Sequence, residues 1–227
     1  MNEQDEYCIN HTLLLFFTIF LESTSSFDLV YLIDTSDATT SQQLDEIIKL
    51  IRVQTSAYSF GDKARVALVT YGATPFTILN LKDGITNGDV LKGLYSIQKV
   101  SGEPDLPKAL EYVQNNIIKM ARRDRPTILS VFTSKNPSVT EEKQLKLVKD
   151  ELEKRKVKTV VTTLDKAGMT EPLTSIVNVD RGYVVPEDKD DLVSVLPEST
   201  DAIDRALGKC QLISLLGIKY SEKNIYK

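Results

Sequence analysis

The feature that most restricts this chain is a regular alternation, from Phe27 to Leu207, of short β-rich apolar runs with runs whose apolar residues recur at helical spacing. Strands separated by helices pair in parallel, and each crossover lays a helix on one face or the other of a shared sheet. Phe27-Asp28-Leu29-Val30-Tyr31-Leu32-Ile33 is the first strand, and its near-continuous apolarity marks it as central. Leu44, Ile47, Ile48 and Ile51 then predict an amphipathic helix over residues 41–59. The second strand, Ala64–Tyr71, is followed so closely by Pro75-Phe76-Thr77-Ile78-Leu79 that the two form a hairpin, which sets one edge strand against the parallel grain. Helices over 88–98 and 106–120 and a strand over 127–133 come next. Ser138-Val139-Thr140-Glu141 reads as a capping box opening a helix that carries Leu145, Val148 and Leu152. A strand over 157–164, a short helix over 169–178, a strand over 182–185 and a helix over 190–207 complete the pattern. The expected fold is α/β: a doubly wound, mostly parallel sheet with one antiparallel edge strand and helices on both faces. No repeat or linker interrupts it, so residues 27–208 form one domain.

The ends read differently. Leu13-Leu14-Leu15-Phe16-Phe17-Thr18-Ile19-Phe20-Leu21 followed by Ser23-Thr24-Ser25-Ser26 has the apolar core and small-residue boundary of a signal peptide over residues 1–26, although Glu3, Asp5 and Glu6 stand where positive charge is usual. The run is too short for the roughly 20 residues of a bilayer-spanning helix, and a buried strand or helix is the alternative. Cleavage removes His11, the only histidine, and Cys8. It also takes the 32 acidic residues to 28, equal to the 28 basic ones. A neutral chain with no basic stripe has no field to attract nucleic acid or an anionic membrane. Cys210 is then unpaired, which suggests either a disulfide to another chain or a small buried side chain. The tail over 209–227 is apolar at Leu212, Ile213, Leu215, Leu216 and Ile218; it extends the last helix, packs on a partner or is disordered. The sequon at Asn10 falls in the removed segment, and Pro137 disqualifies Asn136, so no N-glycan is expected.

A doubly wound sheet places ligands at the carboxyl ends of its strands, but the nucleotide and hydrolase motifs are missing. There is no G-x-G-x-x-G, no G-x-x-x-x-G-K-[ST] and no G-x-S-x-G. Without a histidine in the mature chain, Ser-His-Asp and Cys-His catalysis and histidine-ligated zinc are closed off. Asp34, with Thr35 and Ser36 behind it, lacks the second acid and the lysine of an aspartyl phosphotransferase. The chain is therefore not expected to be an enzyme.

The order of elements, the aspartate ending the first strand and the hairpin in place of a second crossover together resemble the von Willebrand factor A domain. F-D-L-V-Y-L-I-D-T-S, A-R-V-A-L-V-T-Y-G, P-K-A-L, P-T-I-L-S-V-F-T-S and the closing V-K-T-V-V-T-T-L-D…L-T-S-I-V-N…Y-V-V…D-D-L carry the resemblance from about Phe27 to Leu207. It implies a divalent cation on a DxSxS turn, a threonine from a second loop and an aspartate after the fourth strand, with a partner's carboxylate completing the shell. Here DxSxS falls on Asp34, Ser36 and Ala38, the threonine position falls on Pro104, and T-D-G becomes Thr133, Ser134 and Lys135. One carboxylate remains, and Lys135 repels a dication; Mg²⁺, which gives up its water reluctantly, is then at best a weak ligand. Asp34 and Ser36 are the vestige of a metal site, and Asp105, beside Glu103, is a candidate substitute ligand. Alternatively, Asp34 accepts turn amides and Ser36 or a later hydroxyl caps the next helix.

The resemblance implies a secreted, extracellular adhesion or matrix domain that binds an extracellular protein, with a matrix or collagen-like protein as the candidate, without a resident cofactor. The alternative is a metal-dependent adhesion domain that takes an acidic ligand through a rearranged cation site at Asp34 and Ser36. Cys210 offers a disulfide-linked partner; neither nucleic acid nor a membrane span is expected.

Overall fold

The computed structural model describes residues 26–207, apart from 139, 166, 181, 187–191 and 193–195. The leader expected over 1–26, apart from Ser26, and the tail with Cys210 lie outside these residues. The strands are β1 (Phe27–Asp34), β2 (Ala64–Tyr71), β3 (Pro75–Leu79), β4 (Thr127–Thr133), β5 (Val157–Thr163) and β6 (Tyr183–Val184). They form one sheet in the order β3-β2-β1-β4-β5-β6, with β3 antiparallel to β2 and every other neighbour parallel. This is the fold class the sequence predicts.

Among the described residues six helices cover the sheet: α1 (Ser41–Ser56), α2 (Asn87–Tyr95), α3 (Leu106–Asn116), α4 (Glu142–Lys154), α5 (Glu171–Thr174) and α6 (Leu196–Ala206). Odd positions of β1, Leu29, Tyr31 and Ile33, face Leu44, Ile47, Leu50 and Ile51 of α1, Val90 and Leu94 of α2, and Ala202 and Ile203 of α6. Even positions Val30 and Leu32 face Leu110 and Val113 of α3, Leu145 and Val148 of α4, and Leu173 of α5. Burying each such Leu or Ile contributes about 1.5–3 kcal/mol, so the two-sided burial of β1 fixes its central place. Among the described residues no helix is long and apolar enough to cross a membrane.

Local chemistry sets the helix starts. Thr40 caps α1 and Thr86 caps α2, each in a reciprocal box with Gln43 and Asp89, while Asp105 caps α3 by accepting the Lys108 N–H at 3.0 Å. Several predicted bounds move. The first helix stops at Ser56, and the helix expected over 106–120 breaks after Asn116, whose side-chain amide donates to the Tyr112 carbonyl, into a 3₁₀ turn over Ile118–Met120. The expected capping box at Ser138 does not cap α4. Glu141 is the N-cap residue there, and Ser138 Oγ donates to its carboxylate instead of accepting an amide. The helix expected over 169–178 keeps only Glu171–Thr174; of the one expected over 190–207, Leu196–Ala206 is described and most of 190–195 lies outside the described residues.

At the amino end of β1, Asp28 is wholly buried and meets Arg122, whose guanidinium reaches Oδ1 at 2.7 and 2.8 Å while its own N–H gives 2.7 Å to Oδ2. The same guanidinium donates to the carbonyls of Phe27, Asp62 and Lys63, so one side chain ties β1 to the loop before β2. Gly84 closes the approach to β2 farther along. A Cβ there would stand 1.9 Å from the Val66 carbonyl oxygen, so only glycine lets this loop lie against the strand.

Candidate functional site

β1 pairs with β2 on one side and β4 on the other, and the crossovers leave it in opposite directions. The carboxyl ends of β1 and β4 therefore flank the switch point of the sheet, the crevice where doubly wound folds place ligands. Two loops meet there: residues 35–40 after β1 and 134–141 after β4.

Asp34 ends β1 with no exposed surface. Its Oδ1 accepts the Ser36 N–H at 3.0 Å, closing a tight turn, and its Oδ2 accepts the Ser134 N–H at 3.0 Å from the other loop. Ser36 Oγ accepts the Ala38 N–H at 3.2 Å, and Thr39 Oγ1 donates to the Asp34 carbonyl while sharing a 2.7 Å hydrogen bond with Ser134 Oγ. The hydroxyl that caps α1 is that of Thr40, not Ser36.

The next two residues stitch other loops. Lys135 Nζ lies 2.5 Å from Glu103 Oε2, both side chains exposed, and this hydrogen bond, with the charge behind it, holds the ammonium above its ordinary pKa. Glu141 and Asp165 add to that field more weakly. Asn136 gives its N–H to Asp165 Oδ2 at 2.8 Å and its side-chain amide to the Gly168 carbonyl, and it accepts from Thr170. Thr133 Oγ1 donates to the Lys135 carbonyl at 2.8 Å, holding the start of the loop in its turn. Three consecutive residues, Ser134, Lys135 and Asn136, thus bind three different neighbouring loops.

Beneath them lies Tyr71, wholly buried, whose hydroxyl donates to the Phe132 carbonyl at 3.4 Å. Burial first and the Asp34 carboxylate second push its phenol well above the usual tyrosine range.

Of the residues singled out from the sequence, Asp34 and Ser36 meet in one turn. Asp105 is drawn elsewhere, its carboxylate on the Lys108 N–H and its own N–H on the Gly72 carbonyl. Glu103 is engaged by Lys135. The Thr39–Ser134 contact and the Asn136–Asp165 seam escape sequence reading. The signal for the second was an aspartate after a strand with Gly168 shortly behind it, a turn pattern with no indication of its partner.

The model of the von Willebrand factor type A domain matches residues 28–197. The chain belongs to that family. It is 30% identical over 115 residues to the human collagen alpha-5(VI) chain, a match spanning 48% of this chain and 4% of that one. Its fold is similar to proximal thread matrix protein 1 of the mussel byssus, with a TM-score of 0.69, 14% identity, and coverage of 79% of this chain and 48% of that one. Another structure of that mussel protein, with a zinc-occupied MIDAS motif, has a TM-score of 0.66, 14% identity and coverage of 80% and 46%. Manganese-loaded TRAP protein of Plasmodium vivax follows with 0.60, 16% identity, 78% and 74%. The chain thus spans a small fraction of its curated relative and about half of the mussel protein.

A divalent cation of the kind those two structures hold does not fit the donors of this type A domain. Manganese takes about six oxygens, and zinc about four ligands. Asp34 and Asp37 are the carboxylates of the turn; each Asp34 oxygen already accepts a main-chain N–H, Asp37 Oδ2 accepts that of Gly102 at 2.8 Å, and Ala38 and Pro104 bring no side-chain oxygen. Among the described residues no group of three or more His, Cys, Asp or Glu side chains stands together to hold a metal.

Proposed function

We propose that this type A domain is a secreted, extracellular matrix or adhesion module that binds another protein without a metal ion and performs no catalysis. Its kinship with collagen VI supports the matrix setting, and a collagen-like or other matrix protein is the partner class. The observation that carries the metal-independent reading is the engagement of both Asp34 oxygens by the amides of Ser36 and Ser134. They turn the vestige of a cation site into a seam between two loops.

Titration of the purified chain with Mg²⁺ or Mn²⁺ while following thermal unfolding tests this. A ligand at a hundred times its dissociation constant stabilises by about 2.7 kcal/mol, so an unchanged midpoint at ~10 mM cation is expected. A rise that Asp34→Ala abolishes overturns the reading. It would favour the second one, in which Asp34 and Ser36 hold a cation with Asp105 swung in, as the metal-bearing relatives suggest. Amino-terminal sequencing of the secreted chain tests cleavage at Ser26. A non-reducing gel of the same material tests a disulfide through Cys210.

A further inference from the structure

Beside the Asp34 seam, an open cleft of about 320 Å³ lies between the start of α3 and the loop after β4. Pro104, Leu106 and Pro137 give it apolar walls, and Lys135 and Glu141 are the charged residues lining it. Glu141 uses Oε2 to accept the N–H and hydroxyl of Ser138, and no ion pair among the described residues involves it. Lys135 is already joined to Glu103. That pair neutralises the ammonium and leaves Glu141 as the charge in the cleft lining that no ion pair among the described residues answers. A partner's acid entering here meets net repulsion, and a partner's cation meets net attraction.

We propose that this cleft receives a basic side chain, arginine above lysine, from the protein partner. Its methylenes would lie on Pro104, Leu106 and Pro137 and its guanidinium against Glu141. Arginine suits the place because its head is weakly hydrated and planar while its stem covers apolar surface. This names the partner chemistry of the protein-binding reading above and rests on it. The polarity is the reverse of a site in which a bound cation takes a partner's carboxylate.

The test uses the full chain, ¹⁵N-labelled, and two glycine-serine host peptides identical except for a central Arg or Glu. The Arg peptide is expected to shift the amides of Lys135, Asn136, Ser138 and Glu141, with a dissociation constant on the order of 1–10 mM, and the Glu peptide to leave them in place. Glu141→Gln should weaken the Arg peptide about two- to fivefold, and Lys135→Gln should strengthen it by a similar factor, since both are exposed charges. Equal or tighter binding of the Glu peptide, an unmoved cleft with both peptides, or affinity indifferent to both substitutions overturns the proposal. Capture of a matrix partner that survives both substitutions sinks the cleft while leaving protein binding intact. Binding of the Glu peptide that requires Mg²⁺ sinks the metal-independent reading instead.

Discussion

Asp28 and Asp34 stand at opposite ends of β1, on the same side of the strand and equally buried, yet the fold answers their charges by different means. Asp28 meets a guanidinium and a peptide N–H, and that guanidinium also donates to three carbonyls. Asp34 meets two peptide N–H groups, and no ion pair among the described residues involves it. A counter-charge bonded to the carboxylate and to three carbonyls makes the lower end a closed joint. Amide dipoles alone answer the carboxylate at the upper end, and its charge is felt by Tyr71 beneath it. One strand thus carries a permanent fastening at one end and a lighter seam, at the ligand-facing crevice, at the other.

The comparison can be broken most forcefully at the lower end. Arg122→Ala strands the buried Asp28 carboxylate and should cost about 3–5 kcal/mol in urea unfolding, whereas replacing Asp28 and Arg122 together by apolar residues of similar volume recovers most of that loss. Asp34→Ala should cost less, about 1–3 kcal/mol, because it leaves peptide N–H groups unsatisfied without stranding a charge. Amide exchange at Ser36 and Ser134 should quicken in that variant; unchanged protection would show that the seam does not depend on the carboxylate.

A smaller effect concerns pH. The folded Tyr71 phenol titrates above its ordinary value near 10, so its contribution to stability is whole below that pH. It is lost as pH rises further, because the unfolded chain releases the proton first. Asp34→Asn removes the second cause of the shift, and ultraviolet absorbance should then show folded-state phenol ionisation beginning at lower pH. Smallest of all, Lys135→Ala should leave the unfolding midpoint where it was, since water solvates both members of the Lys135–Glu103 pair. A clear drop would move that pair from surface decoration to a third fastening.

Periodicity exposed the fold because β1 is buried on both faces and its neighbours on one or both, which writes long apolar runs into the sequence. The hairpin was legible from the few residues between Tyr71 and Pro75. Helix ends were less so: α3 gives way to a 3₁₀ turn after Asn116 with no glycine or proline to mark the place, and Ser138 satisfies a capping pattern while its hydroxyl serves Glu141 instead. At the site, Asp34 and Ser36 were visible because they are close in sequence. Thr39 with Ser134, Lys135 with Glu103 and Asn136 with Asp165 were not, because each pairs ordinary polar residues across a long stretch of chain, and neither member differs in type from a solvated neighbour.

The run Ser134-Lys135-Asn136 also decides where this fold tolerates a change of length. Each residue meets its own loop, so inserting or deleting a single residue there would throw all three seams out of register at once, and no side-chain swap elsewhere would restore them. Loop grafts and tags belong elsewhere on the chain. A homologue whose segment after β4 differs in length should have rebuilt the whole upper rim.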